Sequence, residues 1–284
     1  MLNMMKKIAL ITGILTILIA ISTFLFYRVN AEGKLDRQKY VQSTTPTLFF
    51  HGYGSSANAE RHMTNAAKKE GVTKTVIRAN VDRNGAVTLR GDIPKDAINP
   101  IVEVNYEDNR NPIDVGRYAK AVVSKLQEKY GFTKMNMVGH SLGNMSILYY
   151  LLEHAQDENL PQLQKQVNIA NFAAGLEAMG LSSDVKVDKT TGQPNQVTQT
   201  FQRLLPLREV FPQNQIDVLN IYGDYKNGSD GSVLNSSSRS LKYLVADNAK
   251  SYQEKKITGK LAQHSQLHEN PEVDKLLIQF LWGK

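Results

Sequence analysis

Lys134-Met135-Asn136-Met137-Val138-Gly139-His140-Ser141-Leu142-Gly143-Asn144 is the stretch on which the fold turns. The apolar run from Lys134 to Gly139 predicts a buried strand. Residues 141–154, with Leu148, Leu151 and Leu152 apolar, predict a helix directly after it. Between them, Gly139-His140-Ser141-Leu142-Gly143 matches G-x-S-x-G, a sharp strand-to-helix turn with a serine at its apex. Side chains at 139 and 143 would collide with neighbouring elements in so tight a turn, so both positions call for glycine. A glycine-rich phosphate loop would carry more glycines and a lysine. Ser141 is therefore the expected nucleophile.

Working outward, apolar strand patterns recur on both sides. Residues 47–50 lead into His51-Gly52-Tyr53-Gly54, and 75–79 into Asn84-Gly85, a type I′ hairpin signal before 87–89. Further strands are predicted at 101–106, 167–172, 216–222 and 256–261. Helices are expected over 56–70, 114–130 and from Pro271, where proline suits the first turn. Residues 114–130 carry the clearest stripe, with Val115, Tyr118, Ala119, Val122, Val123 and Leu126 on one face. Strands alternating with helices predict an α/β fold, a mostly parallel sheet covered on both faces. Residues 175–214 break this rhythm. They are rich in Gln, Asn, Thr and Lys and too long for a plain connection, and they read as a cap-like insertion over the carboxyl edge of the sheet.

A serine hydroxyl needs a base and oxyanion donors. The expected chain order is serine, acid, histidine. Of His51, His62, His140, His154, His264 and His268, only the last two follow the late strand. His264, deeper in the loop before the final helix, is the preferred base, with His268 the alternative. His140 is expected to pack behind the nucleophile, and His62 and His154 to face solvent. The acid should follow strand 216–222. Asp230, in Gly228-Ser229-Asp230-Gly231-Ser232-Val233, is preferred over Asp224, which stands where it would shape the turn. The oxyanion donors are assigned to the backbone N–H groups of Leu142 and Tyr53.

Composition bounds the partners. With 41% hydrophobic and 21% charged residues, the 284-residue chain can bury a full core. It has no cysteine, which removes thiol nucleophiles, disulfides and cysteine-based zinc sites. Its net charge of +7 includes Lys6, Lys7 and Arg28 of an acid-free N-terminal stretch. No basic stripe with interleaved aromatics is present, so nucleic-acid binding is not expected. Lys6-Lys7 precede an uncharged apolar run over 8–27, long enough to cross a bilayer as a helix. Residues 1–31 thus read as a membrane anchor or, given Val29-x-Ala31, a cleaved signal peptide. Residues 32–46 read as a linker and 47–284 as the catalytic domain. Either reading places that domain outside the cytoplasm, secreted or at the cell surface.

Phe50-His51-Gly52-Tyr53-Gly54, the Asn84-Gly85 hairpin, Asn99-Pro100-Ile101, Gly139 to Asn144, Ser229-Asp230-Gly231 and His264 to Asn270 together resemble the α/β-hydrolase superfamily. More narrowly, the chain resembles a family of exported Gram-positive bacterial α/β-hydrolases of unknown function, over about residues 45–283. The resemblance implies an α/β-hydrolase fold and a triad at Ser141, Asp230 and His264. It implies no particular natural substrate. The short stretch before residue 47 leaves no room for the usual leading antiparallel hairpin, so about six or seven strands are expected. The resulting expectation is a serine hydrolase, carboxylesterase or lipase-like, acting on a small-molecule or lipid-like ester without metal or organic cofactor. An amidase or acyltransferase using the same triad is the alternative, and a non-catalytic binding module on a hydrolase fold the third reading. The sequence is silent on oligomeric state.

Overall fold

The computed structural model describes residues 34–284 together with Gly13, Thr16 and Ile17. Those three apart, the apolar run and the expected anchor or signal over 1–31 lie outside the described residues. Among the described residues no helix is long and apolar enough to cross a membrane.

Eight strands form one sheet: β1 (Thr47–Phe50), β2 (Val76–Val81), β3 (Val87–Arg90), β4 (Ile101–Tyr106), β5 (Lys134–His140), β6 (Gln162–Ile169), β7 (Asp217–Asp224) and β8 (Ser251–Thr258). Their order is β3-β2-β4-β1-β5-β6-β7-β8. Only the β2–β3 hairpin is antiparallel; the other pairs are parallel. The first strand lies inside the sheet, and among the described residues no hairpin precedes it. The count nevertheless reaches eight rather than six or seven, because the internal β2–β3 hairpin extends one edge.

Alternation along the strands builds two cores. Leu48 and Phe50 of β1 face one side and Phe49 the other. All three are fully buried, each contributing roughly 1.5–3 kcal/mol by area. On the first face pack α2 (Val115–Tyr130), α3 (Leu142–His154), α6 (Asn235–Arg239) and α7 (Leu241–Val245). On the second pack α1 (Arg61–Lys69) and α8 (Pro271–Trp282). The connection between β6 and β7 carries two short helices, α4 (Gln199–Leu204) and α5 (Leu207–Val210). Its Phe201, Leu204, Leu207 and Phe211 are buried in the first core.

Three elements differ from their sequence-based bounds. The expected 56–70 helix begins only at Arg61. Strand β6 ends at Ile169 because Ala170 turns to a positive φ of 51°. Strand β8 begins at Ser251, earlier than expected; as an edge strand it buries only Ile257 fully, so it lacks an apolar run.

The stretch read as a linker is bound from Asp36 onward. The Asp36 N–H donates to the Gly71 carbonyl, and the Asn99 side chain donates to the Val41 carbonyl at 2.7 Å. Tyr40 bridges Gly283, and the Lys284 N–H donates to the Lys39 carbonyl. Gly71 precedes β2, Asn99 precedes β4 and Trp282 ends α8. Residues 36–46 therefore run along the amino-terminal edge of the parallel strands, opposite Ser141.

Candidate active site

Ser141 stands between β5 and α3 with φ 52° and ψ −119°. A non-glycine residue in this region costs about 1–3 kcal/mol and persists only where neighbours impose it. Here they do. The Ser141 N–H donates to the Ile169 carbonyl at 3.0 Å. The fully buried Asn144 amide donates to the carbonyls of Ser141 and Ile169, both at 2.9 Å. A Cβ on Gly143 would land on the Phe50 carbonyl oxygen, and one on Gly139 would sit 2.7 Å from the Asn144 nitrogen. Both glycines are thus demanded by close backbone approach.

Three separated loops meet at this turn. The Ser141 hydroxyl lies 2.9 Å from His264 Nε2, and His264 Nδ1 lies 2.8 Å from Asp230 Oδ2. A carboxylate can only accept, so Nδ1 carries the proton and Nε2 is left to accept from the serine. Asp230 is 1% exposed. Its other oxygen accepts from the N–H groups of Ser232 and Val233 at 2.9 and 2.7 Å. The backbones are tied as well, the His264 N–H donating to the Asp230 carbonyl. Gly223 makes room for this, since a Cβ there would meet the Ala262 backbone.

The competing residues lie elsewhere. Asp224 pairs with Lys256 at 3.3 Å and accepts from the Gly228 N–H, so it shapes the turn. His268 faces Glu269 at 3.2 Å and meets the His140 ring edge-on, centroids 4.8 Å apart. His62 is half-buried against Asp274 at 3.1 Å rather than free in solvent.

Of the expected oxyanion donors, Leu142 opens α3, where a first-turn N–H has no intrahelical acceptor. Tyr53 sits in the loop after β1. His51, buried there, has its two nitrogens assigned by their partners: Nε2 accepts from the Tyr106 N–H at 3.1 Å, so Nδ1–H donates to the Gly52 carbonyl at 2.9 Å. Across the planar trans peptide, the Tyr53 N–H points opposite to that carbonyl. A Cβ on Gly52 would lie 3.2 Å from the Ser141 Cβ, which places this peptide beside the serine.

Sequence reasoning missed the contacts of His51 and Asn144 and the burial of Glu60. The adjacency of His51 to Gly52 was the available signal for the first. Burial holds His51 below the usual imidazole value, and His140 well below it, aided there by His264 and His268. Burial likewise lowers His268, against the opposing pull of Glu269. Glu60, fully buried with neither carboxylate oxygen hydrogen-bonded, is pushed well above the usual carboxylate range by burial, then by Glu103 and Glu269. Among the described residues no cluster of His, Asp or Glu could hold a metal ion.

The comparisons with known proteins agree with this architecture. The family model "Alpha/beta hydrolase of unknown function (DUF915)" matches residues 34–284. The lin2722 gene product of Listeria innocua is 27% identical in structure-based alignment, with a TM-score of 0.74, covering 84% of this chain and 94% of that one. A candidate cell surface hydrolase from Lactobacillus plantarum WCFS1 is 20% identical, with a TM-score of 0.66, covering 84% of this chain and 91% of that one. No curated protein matches the chain significantly. With the model spanning the described domain from Lys34 to its last residue, the chain belongs to the alpha/beta hydrolase family of unknown function DUF915.

Proposed function

We propose that this chain is a serine hydrolase that cleaves carboxylic esters through an acyl-enzyme. The observation that carries this reading is the unbroken hydrogen-bond chain from the Ser141 hydroxyl through His264 to Asp230. His264 Nε2 takes the hydroxyl proton as Ser141 Oγ bonds to the acyl carbon. Asp230 stabilises the imidazolium and holds its orientation. The oxyanion is held by the N–H groups of Leu142 and Tyr53. His264 returns the proton to the departing alkoxide, and the alcohol leaves. Water then loses a proton to Nε2 and attacks the acyl-enzyme; Ser141 recovers that proton and the acid is released.

Surface chemistry supports an apolar substrate. Of the seven large exposed apolar side chains of residues 34–284, one, Val41, precedes β1; the other six are Tyr53, Ile113, Met179, Val197, Tyr225 and Leu261. Each lies on a segment that follows the carboxyl end of a strand, the edge that carries Ser141. Their shared edge with Ser141, and not exposure as such, makes them the candidate substrate contacts. The 175–214 segment contributes two of them and acts as a cap over the acyl group. The domain works outside the cytoplasm, held by residues 8–27, a compartment that agrees with the description of the Lactobacillus plantarum neighbour.

The test is Ser141→Ala against wild type on short p-nitrophenyl esters, with fluorophosphonate labelling. Turnover and labelling should both vanish while the thermal transition is kept. Unchanged turnover in the variant would remove the serine mechanism.

A further inference from the structure

Residues 36–46 fix where the chain joins the sheet, and that point is the pole opposite the catalytic one. The Thr47 N–H donates to the Pro100 carbonyl, the Asn99 N–H to the Ser43 carbonyl and the Val41 N–H to the Trp282 carbonyl. All three partners stand at the amino ends of parallel strands or at the end of α8. Ser141, Asp230 and His264 follow the carboxyl ends of β5, β7 and β8.

The pole where the chain joins the domain is also net basic. Lys34, Arg37, Lys39, Lys69, Lys74, Lys95 and Lys284 are exposed where the chain joins the domain, against the acids Asp36, Glu70, Asp92 and Asp96. Glu70 is engaged by Lys39 at 2.8 Å. The catalytic pole carries six of the seven exposed apolar side chains of residues 34–284, the basic pole only Val41. A basic collar beside an apolar N-terminal run complements an anionic bilayer surface.

Reach settles which pole can touch that bilayer. Six residues, 28–33, separate the apolar run from Lys34, and fully extended they span about 20 Å. A domain of this length measures roughly 45 Å across. So short a tether, tied to one pole, cannot bring the other pole to the same surface.

We infer that the basic pole formed by residues 34–46 and their neighbours rests on an anionic bilayer, so that Ser141 faces away from the membrane holding the chain. The substrate is then an apolar ester arriving from the outer side, soluble or carrier-delivered, and not a lipid embedded in that bilayer. This rests on the ester-hydrolase reading for the substrate, and on the 8–27 anchor for the orientation.

The chain has no cysteine, so Lys74→Cys and Tyr225→Cys each give one labelling site, at the basic and the catalytic pole. The full chain is reconstituted into vesicles of phosphatidylglycerol and phosphatidylcholine with an acceptor dye on the headgroups. A donor at position 74 should transfer energy several-fold more efficiently than one at 225. Inserting a Gly-Ser stretch of about 20 residues between Ala31 and Glu32 gives a flexible tether long enough to turn the domain over. That insertion should bring the two efficiencies together and switch on cleavage of a fluorogenic ester embedded in the same vesicles, at least tenfold above the wild type. Equal transfer at both positions without the insertion, stronger transfer at 225, or failure of the full chain to associate with vesicles would overturn the orientation. The distance measurement needs no turnover, and a soluble ester assayed beside it reports separately on the hydrolase reading.

Discussion

His140 lies under His264, its Nε2–H donating to the His264 backbone carbonyl at 3.0 Å with the ring centroids 5.0 Å apart. A carbonyl can only accept, so His140 Nε2 carries the proton, burial pushes this imidazole well below its usual value, and the loop bearing the proposed base is held by the residue preceding the nucleophile. His140→Ala should lower kcat about 10–100-fold with KM nearly unchanged, the effect of a misplaced group. His140→Gln, which can still donate to that carbonyl, should recover part of the loss. Steady-state kinetics on both variants, with thermal melts alongside, check this; equal losses in the two would remove the hydrogen bond as the cause.

Asp230 and Asp224 separate cleanly in the structure. Asp230→Asn should reduce kcat by about 10⁴, because the imidazole loses its fixed tautomer. Asp224→Asn loses the charge pair with Lys256 while its Oδ1 can still accept from the Gly228 N–H, and kcat should stay within about threefold, an exposed ion pair being worth little. The ratio of the two rate constants on one ester is the measurement.

Gly143 has no room for a methyl group, since its Cβ would land on the Phe50 carbonyl. Gly143→Ala should cost about 3 kcal/mol or more, at the upper end for forced overpacking. Gly180 has a positive φ of 88° and nothing within 4 Å of an added Cβ. Gly180→Ala should therefore cost only about 1–2 kcal/mol of backbone strain. Urea unfolding of the two variants gives the contrast.

Acid should destabilise the fold before most carboxylates titrate. His51, His140 and His268 are each held below the ordinary value of 6.5 by burial. The unfolded chain then binds more protons than the folded one. Stability is fully present above about pH 6.5 and falls as pH drops below it, by up to ~1.4 kcal/mol per pH unit for each histidine still neutral in the fold. Urea midpoints at a series of pH values down to 5 should decline; a flat series would contradict the assignment.

Glu60 works with the opposite sign. Its carboxyl is raised well above 4.5 by burial, so its contribution is present below pH 4.5 and is lost as pH rises through the folded-state value. Glu60→Gln cannot ionise. Its stability relative to wild type should improve with rising pH, by up to ~1.4 kcal/mol per unit within that window. A difference independent of pH from 5 to 8 would show that the carboxyl does not titrate with unfolding.

Much of the site could be read from the residues because its demands are local. The glycines at 139 and 143 answer to a turn five residues long; chain order narrowed the candidates to His264 or His268 and to Asp230 or Asp224, and loop position and the local pattern ranked each pair. What stayed hidden depends on contacts between distant positions. His140 meets residue 264 only once β5 and the loop after β8 are aligned, and His51 acts through a carbonyl, which has no residue signature. The fold showed a similar division. Strands buried on both faces, such as 47–50, stood out as apolar runs. Strand β8 did not, because an edge strand with one fully buried side chain carries no such run. The polar stretch before β1 looked like a linker because a single apolar anchor, Tyr40, enters the second core from it, and the rest binds through backbone groups and the Asn99 side chain.

The Tyr40–Gly283 bridge brings both tails of the domain to one spot. A pull between them would load that short antiparallel pairing first, peeling it open bond by bond while the parallel strands carry no tension. Force applied between the two tails would thus be absorbed at a sacrificial seam remote from Ser141, leaving that site undisturbed until the seam has parted.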